Sequence, residues 1–418
     1  MGNWMQYQDS ISGTCPRAVS AIVALAIIFT LAIGVPQFAL AQTFTVLHTF
    51  TGGTDSAIPT ATLIRDSAGN LYGTTVQGGD ITCQHNSSGC GVVFTLDAAG
   101  KETVLLTFHR GGQGRFPGAV VRDASGNLYG IAAEGGGKDF GVVFKLFTDG
   151  QERVLHSFKG GSIDGATPSY LLRDAAGDLY GTGGVAGTGG GGTIFKGHGS
   201  SETTIYNFTG GADGSSPEGL LWGPAGTLYG TAFWGGSRAC NAGCGVIFKL
   251  AKNGGGFAVL HSFSGADGAS PSGSLVRDKA GNLYGTTGFG GGTGCSGFGC
   301  GTVFKLSSTG KLNVLHRFSG TDGANPFGTL VRDAAGNLYA TTVFGGSSSC
   351  NGGCGIVFKL DKTGALTVLH SFSGGADGAN PQVGLTRDSA GNLYGTTGYG
   401  GGTGCGGSGC GVVFKIAP

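Results

Sequence analysis

Proton-transfer catalysis needs titratable groups in an asymmetric arrangement, so the 24 acidic residues and eight histidines of this 418-residue chain come first. Most of the acids recur. Asp66, Asp123, Asp174, Asp278, Asp333 and Asp388 each open the same short turn, and Asp55, Asp164, Asp213, Asp267, Asp322 and Asp377 fall in a second recurring loop. Asp97, Asp149, Asp361, Glu102, Glu152 and Glu202 lie in or beside a third turn, Asp178 follows a turn Gly, and Asp9 sits near the N-terminus. Four acids are not repeated: Asp80, Glu134, Asp139 and Glu218. These are the carboxylates available for a unique acid–base site, and each also reads as an ordinary surface residue.

The histidines divide similarly. His48, His156, His261, His316 and His370 share one repeated position, which suits packing or a blade-to-blade hydrogen bond better than metal ligation. His85, His109 and His198 are isolated in loops or turns. No Ser-His-Asp arrangement, phosphate loop or His-rich metal motif is present, so neither a metal nor a cofactor is expected.

Of eleven cysteines, Cys15 precedes a long apolar run. The other ten form close pairs, Cys83/Cys90, Cys240/Cys244, Cys295/Cys300, Cys350/Cys354 and Cys405/Cys410, all in one recurring loop. An even count in local pairs behind a leader segment reads as five disulfides. Structural zinc wants four ligands per site, and five separated pairs do not group that way. The bridges should pin loops and leave the fold to other contacts. The leader is Arg17, the apolar run 18–35, Pro36 and Ala39-Leu40-Ala41: a signal peptide over residues 1–41, with Gln42 as the first mature residue. If uncleaved, the run could just span a bilayer.

The elements that position these groups follow from the repeat. A Val-Leu-His-Ser-Phe-like segment ends at Phe50, Phe108, Phe158, Phe208, Phe263, Phe318 and Phe372. A Gly-Asn-Leu-Tyr-Gly-Thr-like segment carries Tyr72, Tyr129, Tyr180, Tyr229, Tyr284, Tyr339 and Tyr394. A Gly-Val-Val-Phe-Lys-Leu-like segment carries Phe94, Phe144, Phe195, Phe248, Phe304, Phe358 and Phe414. Removing residues 1–41 leaves about 54 residues per repeat, a period typical of solenoids and propellers. In the sixth repeat, 329–332, 338–341, 356–360 and 366–372 read as strands, rich in β-branched and aromatic residues. Asp333-Ala334-Ala335-Gly336-Asn337 joins the first two as a hairpin turn with Gly at the φ > 0 position. Gly223-Pro224-Ala225-Gly226 replaces that turn in the fourth repeat.

Seven sets of four antiparallel strands predict an all-β fold, a seven-bladed β-propeller over residues 42–418. The coils of a β-helix are much shorter than 54 residues. Residues 46–50 read as a fourth strand and 412–416 as a third, so the N-terminal strand should complete the last blade and cover its edge. Gly contributes 90 residues, which suits sharp turns and close backbone approach.

The repeat resembles the Gloeo/Verruco-type (GloVer) tandem repeat of secreted and surface bacterial proteins. The residues that carry the resemblance are Leu338-Tyr339, Thr341-Thr342, Gly345-Gly346, Gly355 to Leu360, Val368 to Phe372 and Asp377 to Pro381. The repeat beginning at Phe108 departs from it, with Leu106 in the His position and no loop Asp. The resemblance implies an extracellular repeat protein and no particular activity.

Charge narrows the partners. With 25 Lys and Arg against 24 Asp and Glu, the formal net charge is +1, which leaves no footprint for nucleic acid. The long loops after the second strands carry Phe233, Trp234, Phe289, Phe344 and Tyr399, which on a disulfide-held rim suit carbohydrate or peptide binding. The expectation is a secreted, monomeric, non-catalytic binding or scaffold propeller for an extracellular glycan or protein. The alternative is a propeller hydrolase or lyase of sugars or lactones, using Asp80, Glu134, Asp139 or Glu218 on the loop-bearing face.

Overall fold

Alternating Gly-rich turns and β-branched or aromatic runs produce seven antiparallel sheets, the blades of a seven-bladed propeller. The computed structural model describes residues 42–83, 88–162 and 164–418. The signal-peptide reading of 1–41, Cys15 and His85 lie outside the described residues. Blade 4 is typical, with strands Ser215–Trp222, Thr227–Trp234, Val246–Ala251 and Ala258–Ser262 in that order across the sheet. In blade 1 the first strand is split into Ser56–Pro59 and Ile64–Arg65, both paired with Leu71–Gly78. Among the described residues the helical content is two three-residue 3₁₀ turns, Pro224–Gly226 and Cys405–Gly407.

The expected closure is present. Thr43–Thr49 pairs antiparallel with Val412–Ala417, Thr43 opposite Ala417 and Thr49 opposite Val412, and so becomes the outer strand of blade 7. The expected first strand of the sixth repeat is shorter than 329–332. Only Val331–Arg332 joins the ladder, and the residues before it, which include Pro326, keep a single bridge between Ala324 and Phe344. Proline has no N–H to give the ladder.

Two repeated contacts join the blades. The phenylalanine after each fourth strand meets the third-strand phenylalanine of the next blade edge-on. The pairs run from Phe50–Phe94 to Phe372–Phe414, with centroids 5.2–5.3 Å apart. Such pairs contribute about 0.5–1.5 kcal/mol each beyond burial. Beside them, a proline ring from each blade lies on a glycine of the blade before. Pro381 Cδ would be 2.7 Å from a Cβ at Gly355, and Pro59 Cδ 2.9 Å from one at Gly411. The residue before that proline is left-handed in every blade: Ile58, Phe116, Thr167, Ser216, Ser270, Asn325 and Asn380. Its N–H donates back to the preceding blade, as Asn380 does to Cys354 O at 2.8 Å and Ile58 to Cys410 O at 2.9 Å.

The Arg-Asp pairs of the repeat are also structural. Asp66 accepts from Asn70 N, Asn70 Nδ2 and Tyr72 Oη at 2.9, 2.9 and 3.1 Å, and Arg122 of the next blade stands 5.5 Å over the Tyr72 ring. These bonds outweigh burial and hold the Asp66 carboxyl below its usual range.

Candidate functional site

The ten cysteines form the five expected bridges, Cys83–Cys90, Cys240–Cys244, Cys295–Cys300, Cys350–Cys354 and Cys405–Cys410, each between the second and third strands of its blade. The second cysteine of each pair, although in the loop, is fully buried: Cys90, Cys244, Cys300, Cys354 and Cys410 belong to the hydrophobic core. Each packs into a cluster that includes its own blade's fourth-strand phenylalanine, Cys90 with Phe108, Cys244 with Phe263 and Cys300 with Phe318. The backbone explains the burial. Each of these cysteines directly precedes the glycine on which the next blade's proline rests. Its carbonyl accepts from that blade: Cys90 O from Phe116 N at 3.0 Å, Cys244 O from Ser270 N at 2.8 Å and Cys300 O from Asn325 N at 2.9 Å. The bridges therefore tie the loops to the seams between blades, and these sulfurs do not form part of a ligand-facing surface.

The loops after the fourth strands share this face: Gly401 N donates to Gly375 O at 2.8 Å, linking the two loop types of blade 7. One face therefore carries the long loops.

The four non-repeated carboxylates do not converge. Asp80 accepts from Thr82 Oγ1 and N at 2.6 and 3.0 Å and lies 2.7 Å from His109 Nδ1. Those hydrogen bonds bring its carboxyl down to about 2. Arg115 holds two of the others: Nε and Nη2 lie 2.8 Å from Glu134 Oε2, and Nη2 lies 2.8 Å from Asp139 Oδ2. Glu134, which reads as part of the loop between strands two and three, instead ends the strand Leu128–Glu134; Glu218, which reads as lying near a first strand, is inside the first strand Ser215–Trp222.

Glu218 faces the axial cavity. First strands, or in blades 6 and 7 the residues just before them, wall this space of about 530 Å³ from all seven blades. They approach closely because the axis tolerates little side chain; a Cβ at Gly219 would be 2.4 Å from Gly273 O. Polar groups in the wall include Ser169, Tyr170, Glu218 and Gln382. Thr62 and Thr329 are already engaged, accepting from Gly384 N and Ser274 N. Burial alone pushes the Glu218 carboxyl up. It also pushes up the Tyr170 phenol, opposed by a hydrogen bond with Ser274. Among the described residues no hydrogen bond or ion pair holds Glu218.

The rim aromatics separate into a connected strip and two outliers. Trp234 meets Phe233 edge-on at 4.6 Å, Phe233 faces Phe327 at 6.3 Å, and Phe327 meets Phe289 at 5.7 Å. Phe233 and Phe327 both line the axial cavity. Phe327 was not among the residues singled out from sequence, because it is the one aromatic at its first-strand position. Its ring lies where a Cβ at Gly288 would be, 2.1 Å from Phe327 Cε1. Phe344 and Tyr399 stand exposed on their own blades, each 37% accessible, as is Trp234.

The repeated histidines bond within the connection that follows them. His156, His261, His316 and His370 place Nε2 2.8–3.0 Å from Asp164, Asp267, Asp322 and Asp377. A bulge in each fourth strand aims the ring: Phe358 pairs with Val368 and Val357 with His370, so Leu369 is the extra residue. The same aspartates cap the loop, as Ser264 N and Oγ donate to Asp267 at 2.8 Å. The sequence carried a signal for this pair: where the His is Leu106, the loop Asp is Gln113. Blade-to-blade contact is also made, by His48, whose Nε2 lies 3.3 Å from Glu102 Oε2, by His156, 3.8 Å from Glu202 Oε2, and by His370, stacked on Phe44. Among the described residues two groups could hold a metal: His48, Asp55 and Glu102, and His156, Asp164 and Glu202. Among the described residues no helix is long and apolar enough to cross a membrane.

The Gloeobacter/Verrucomicrobia repeat family model matches residues 80–298 and 237–418. No curated protein matches the sequence. Among solved structures the chain is similar to an oligogalacturonate lyase from Vibrio parahaemolyticus, at 10% identity and TM-score 0.56, over 91% of this chain and 94% of that one. It is also similar to an extracellular domain assigned to a hybrid two-component system of B. thetaiotaomicron, at 12% identity and TM-score 0.52, over 90% of this chain and 41% of that one. A gluconolactonase from Xanthomonas campestris aligns at 16% identity and TM-score 0.42, over 72% and 86%. At these identities the likeness concerns the fold alone.

Proposed function

Since the chain belongs to the Gloeobacter/Verrucomicrobia repeat family, we propose that it is an exported, monomeric propeller that binds an extracellular glycan without transforming it. The observation that carries this reading is the aromatic strip Trp234, Phe233, Phe327 and Phe289 beside the axial cavity. Sugar rings present apolar C–H faces that stack on aromatic rings, and their hydroxyls suit the amide of Gln382 and the carboxyl of Glu218. Five disulfides and the segment 1–41 support an oxidising destination. Three of the four unique carboxylates are committed to His109 or Arg115, which favours binding over catalysis.

The alternative of a sugar or lactone hydrolase or lyase rests on Glu218, whose buried carboxyl is raised, with Tyr170 in the same wall. One experiment separates the readings: a glycan and cell-wall binding screen on the mature protein, with the Trp234→Ala/Phe289→Ala, Phe344→Ala/Tyr399→Ala and Glu218→Gln variants. Binding lost in the first variant, with folding intact, and retained in Glu218→Gln is the expected result. Turnover of an offered glycan or lactone that disappears in Glu218→Gln would overturn the non-catalytic reading. Capture of a protein in place of any glycan would redirect the partner class.

A further inference from the structure

The position six residues before each fourth-strand phenylalanine faces the preceding blade. Reading around the ring, it is Phe44, Glu102, Glu152, Glu202, Phe257, Leu312 and Leu366. The apolar occupants pack as expected: Phe44 stacks on His370 at 3.7 Å and Phe257 on Tyr206 at 4.0 Å. The three glutamates bring a carboxylate to the same half-buried seam. Glu152 meets Leu106 and Gln113, so its seam has no imidazole; Gln113 Nε2 donates to it at 3.2 Å. Glu202 meets a His–Asp pair.

The geometry points to a divalent-cation site of the zinc class between blades 2 and 3, formed by His156 Nε2, Asp164 Oδ2 and Glu202 Oε2. His156 Nε2 lies 3.0 Å from Asp164 Oδ2 and 3.8 Å from Glu202 Oε2, and the three groups' ligand atoms lie within 4.8 Å of one another. A tetrahedral ion with bonds of about 2.0–2.1 Å sets its ligands about 3.4 Å apart, so shifts of a few tenths of an ångström would bring both His156 separations to that spacing. One imidazole with two carboxylates is a donor set for a borderline transition ion. A fourth position is left to water.

The His–Asp pair alone needs no ion, since the histidines of blades 4, 5 and 6 make it without a third acid. The additional observation is Glu202. Its side chain is 94% buried, and Oε1 makes no hydrogen bond. The buried Thr204 hydroxyl beside it makes no hydrogen bond of ordinary geometry, yet is near enough to favour the ionised carboxyl. A carboxylate out of water with so weak a donor is unfavourable unless a cation or a proton meets it. A pocket of about 10 Å³, room for one water-sized species, lies against His156, Glu202 and Ser201 and is otherwise apolar; Asp164 stands behind His156 and does not line it. Burial pushes the Glu202 carboxyl up to about 7, with the Asp164 charge adding to it and Thr204 and Lys159 opposing, and burial lowers His156 against the pull of Asp164. Lys159 is the cation close enough to act on both groups. The same donor set recurs between blades 7 and 1, where His48 Nε2 is buried without a hydrogen bond 3.3 Å from Glu102. Blades 2 and 3 are those without a disulfide, so an ion here would join the least braced part of the ring.

The test uses the untagged mature protein, stripped with chelator and titrated with Zn²⁺ alone at pH 7.5. Bound metal is counted by mass spectrometry after desalting, and melting is followed in parallel. The wild type should retain at least one equivalent and melt higher with Zn²⁺. Glu202→Leu installs the residue found at two other seams, so it should fold, lose one equivalent and lose the part of the Zn²⁺-induced rise that depends on it. Glu202→Gln guards against a packing effect and should behave alike. Glu152→Leu should change neither readout. Zinc retained equally by Glu202→Leu and Glu202→Gln, zinc lost only in Glu102→Leu, or no retained zinc in the wild type would each overturn the site. Loss of melting stability without loss of metal would leave Glu202 a packing residue and also overturn it.

Discussion

Gly355 should tolerate no side chain, and the size of the penalty can be divided into two parts. Its φ of +90° disfavours any L-residue, and a Cβ there would stand 2.4 Å from Thr342 O, 2.7 Å from Pro381 Cδ and 2.9 Å from Val343 O. None of those atoms ends a flexible side chain, so relief requires moving Gly355 away from its own second strand as well as from the proline of blade 7. Gly310 has nearly the same backbone, φ +87°, with nothing within 4 Å of its Cβ. Gly310→Ala therefore measures the conformational cost alone, about 1–2 kcal/mol. Gly355→Ala adds overpacking of about 1–3 kcal/mol, for a total of about 2–5. With a urea m-value of about 3 kcal/mol per M, the midpoint should fall by about 0.3–0.7 M for Gly310→Ala and about 0.7–1.7 M for Gly355→Ala. Urea melts followed by tryptophan fluorescence and circular dichroism give both values and test coincidence of the transitions. Equal shifts in the two variants would refute the idea that close packing, by its own second strand and the next blade's proline, fixes this glycine.

Three further outcomes are expected. Removing residues 42–52 takes away the strand opposite Val412–Ala417 together with the Phe44–His370 stack and the Phe50–Phe94 pair. Thermal melts should show a far larger loss than deleting the same length of exposed loop, and similar losses would mean the seventh blade does not need closing. Thr167 is left-handed at φ +48°, and Asn occupies the equivalent place at Asn325 and Asn380, where its amide donates to the previous blade at 2.8 and 2.9 Å. Thr167→Asn should stabilise by about 1 kcal/mol in calorimetry; a lower melting temperature would count against strain at that position. Burial opposes ionisation of Asp267, but bonds from His261 and from Ser264 N and Oγ win and hold its carboxyl at about 2. A folded value below the unfolded one stabilises above the unfolded pKa, so this contribution is complete above about pH 4 and is lost as pH falls towards 2. The melting-temperature gap between wild type and Asp267→Asn should narrow over that range, and a pH-independent gap would show that the charge does not matter.

The blades were legible because each is a local hairpin array with Phe, Tyr and Gly at a constant period. The ring closure was legible because a spare fourth strand and a missing one lie at the two ends of the repeat. The five bridges were legible because each links cysteines only four to seven positions apart. What was hidden lies between blades. Cys90, Cys244 and Cys300 read as loop residues until the next blade covers them. Gly355 reads as a turn glycine until Pro381 is placed on it, and each histidine reads as packing until the bulge before it turns the ring toward the loop Asp. Glu202 reads as a turn acid because its neighbour, His156, belongs to the preceding blade. Phe327 had no repeated counterpart, so periodicity could not draw attention to it. Periodicity shows what every blade shares, and the candidate sites consist of what individual blades do differently.

The closing strand also constrains how the molecule is made. Thr43 and its partner Ala417 are separated by about 370 residues of chain. A ribosome delivers the chain N-terminus first, and local units can fold as they emerge. Blades 1 to 6 contain all their own strands and can assemble in order, each seating its phenylalanine on the next. Thr43–Thr49, synthesised before all of them, has its partner only when Val412–Ala417 emerges. Throughout synthesis it is a free β-edge, able to pair with the wrong strand or a second chain, and a helper that shields this segment would act on the whole ring.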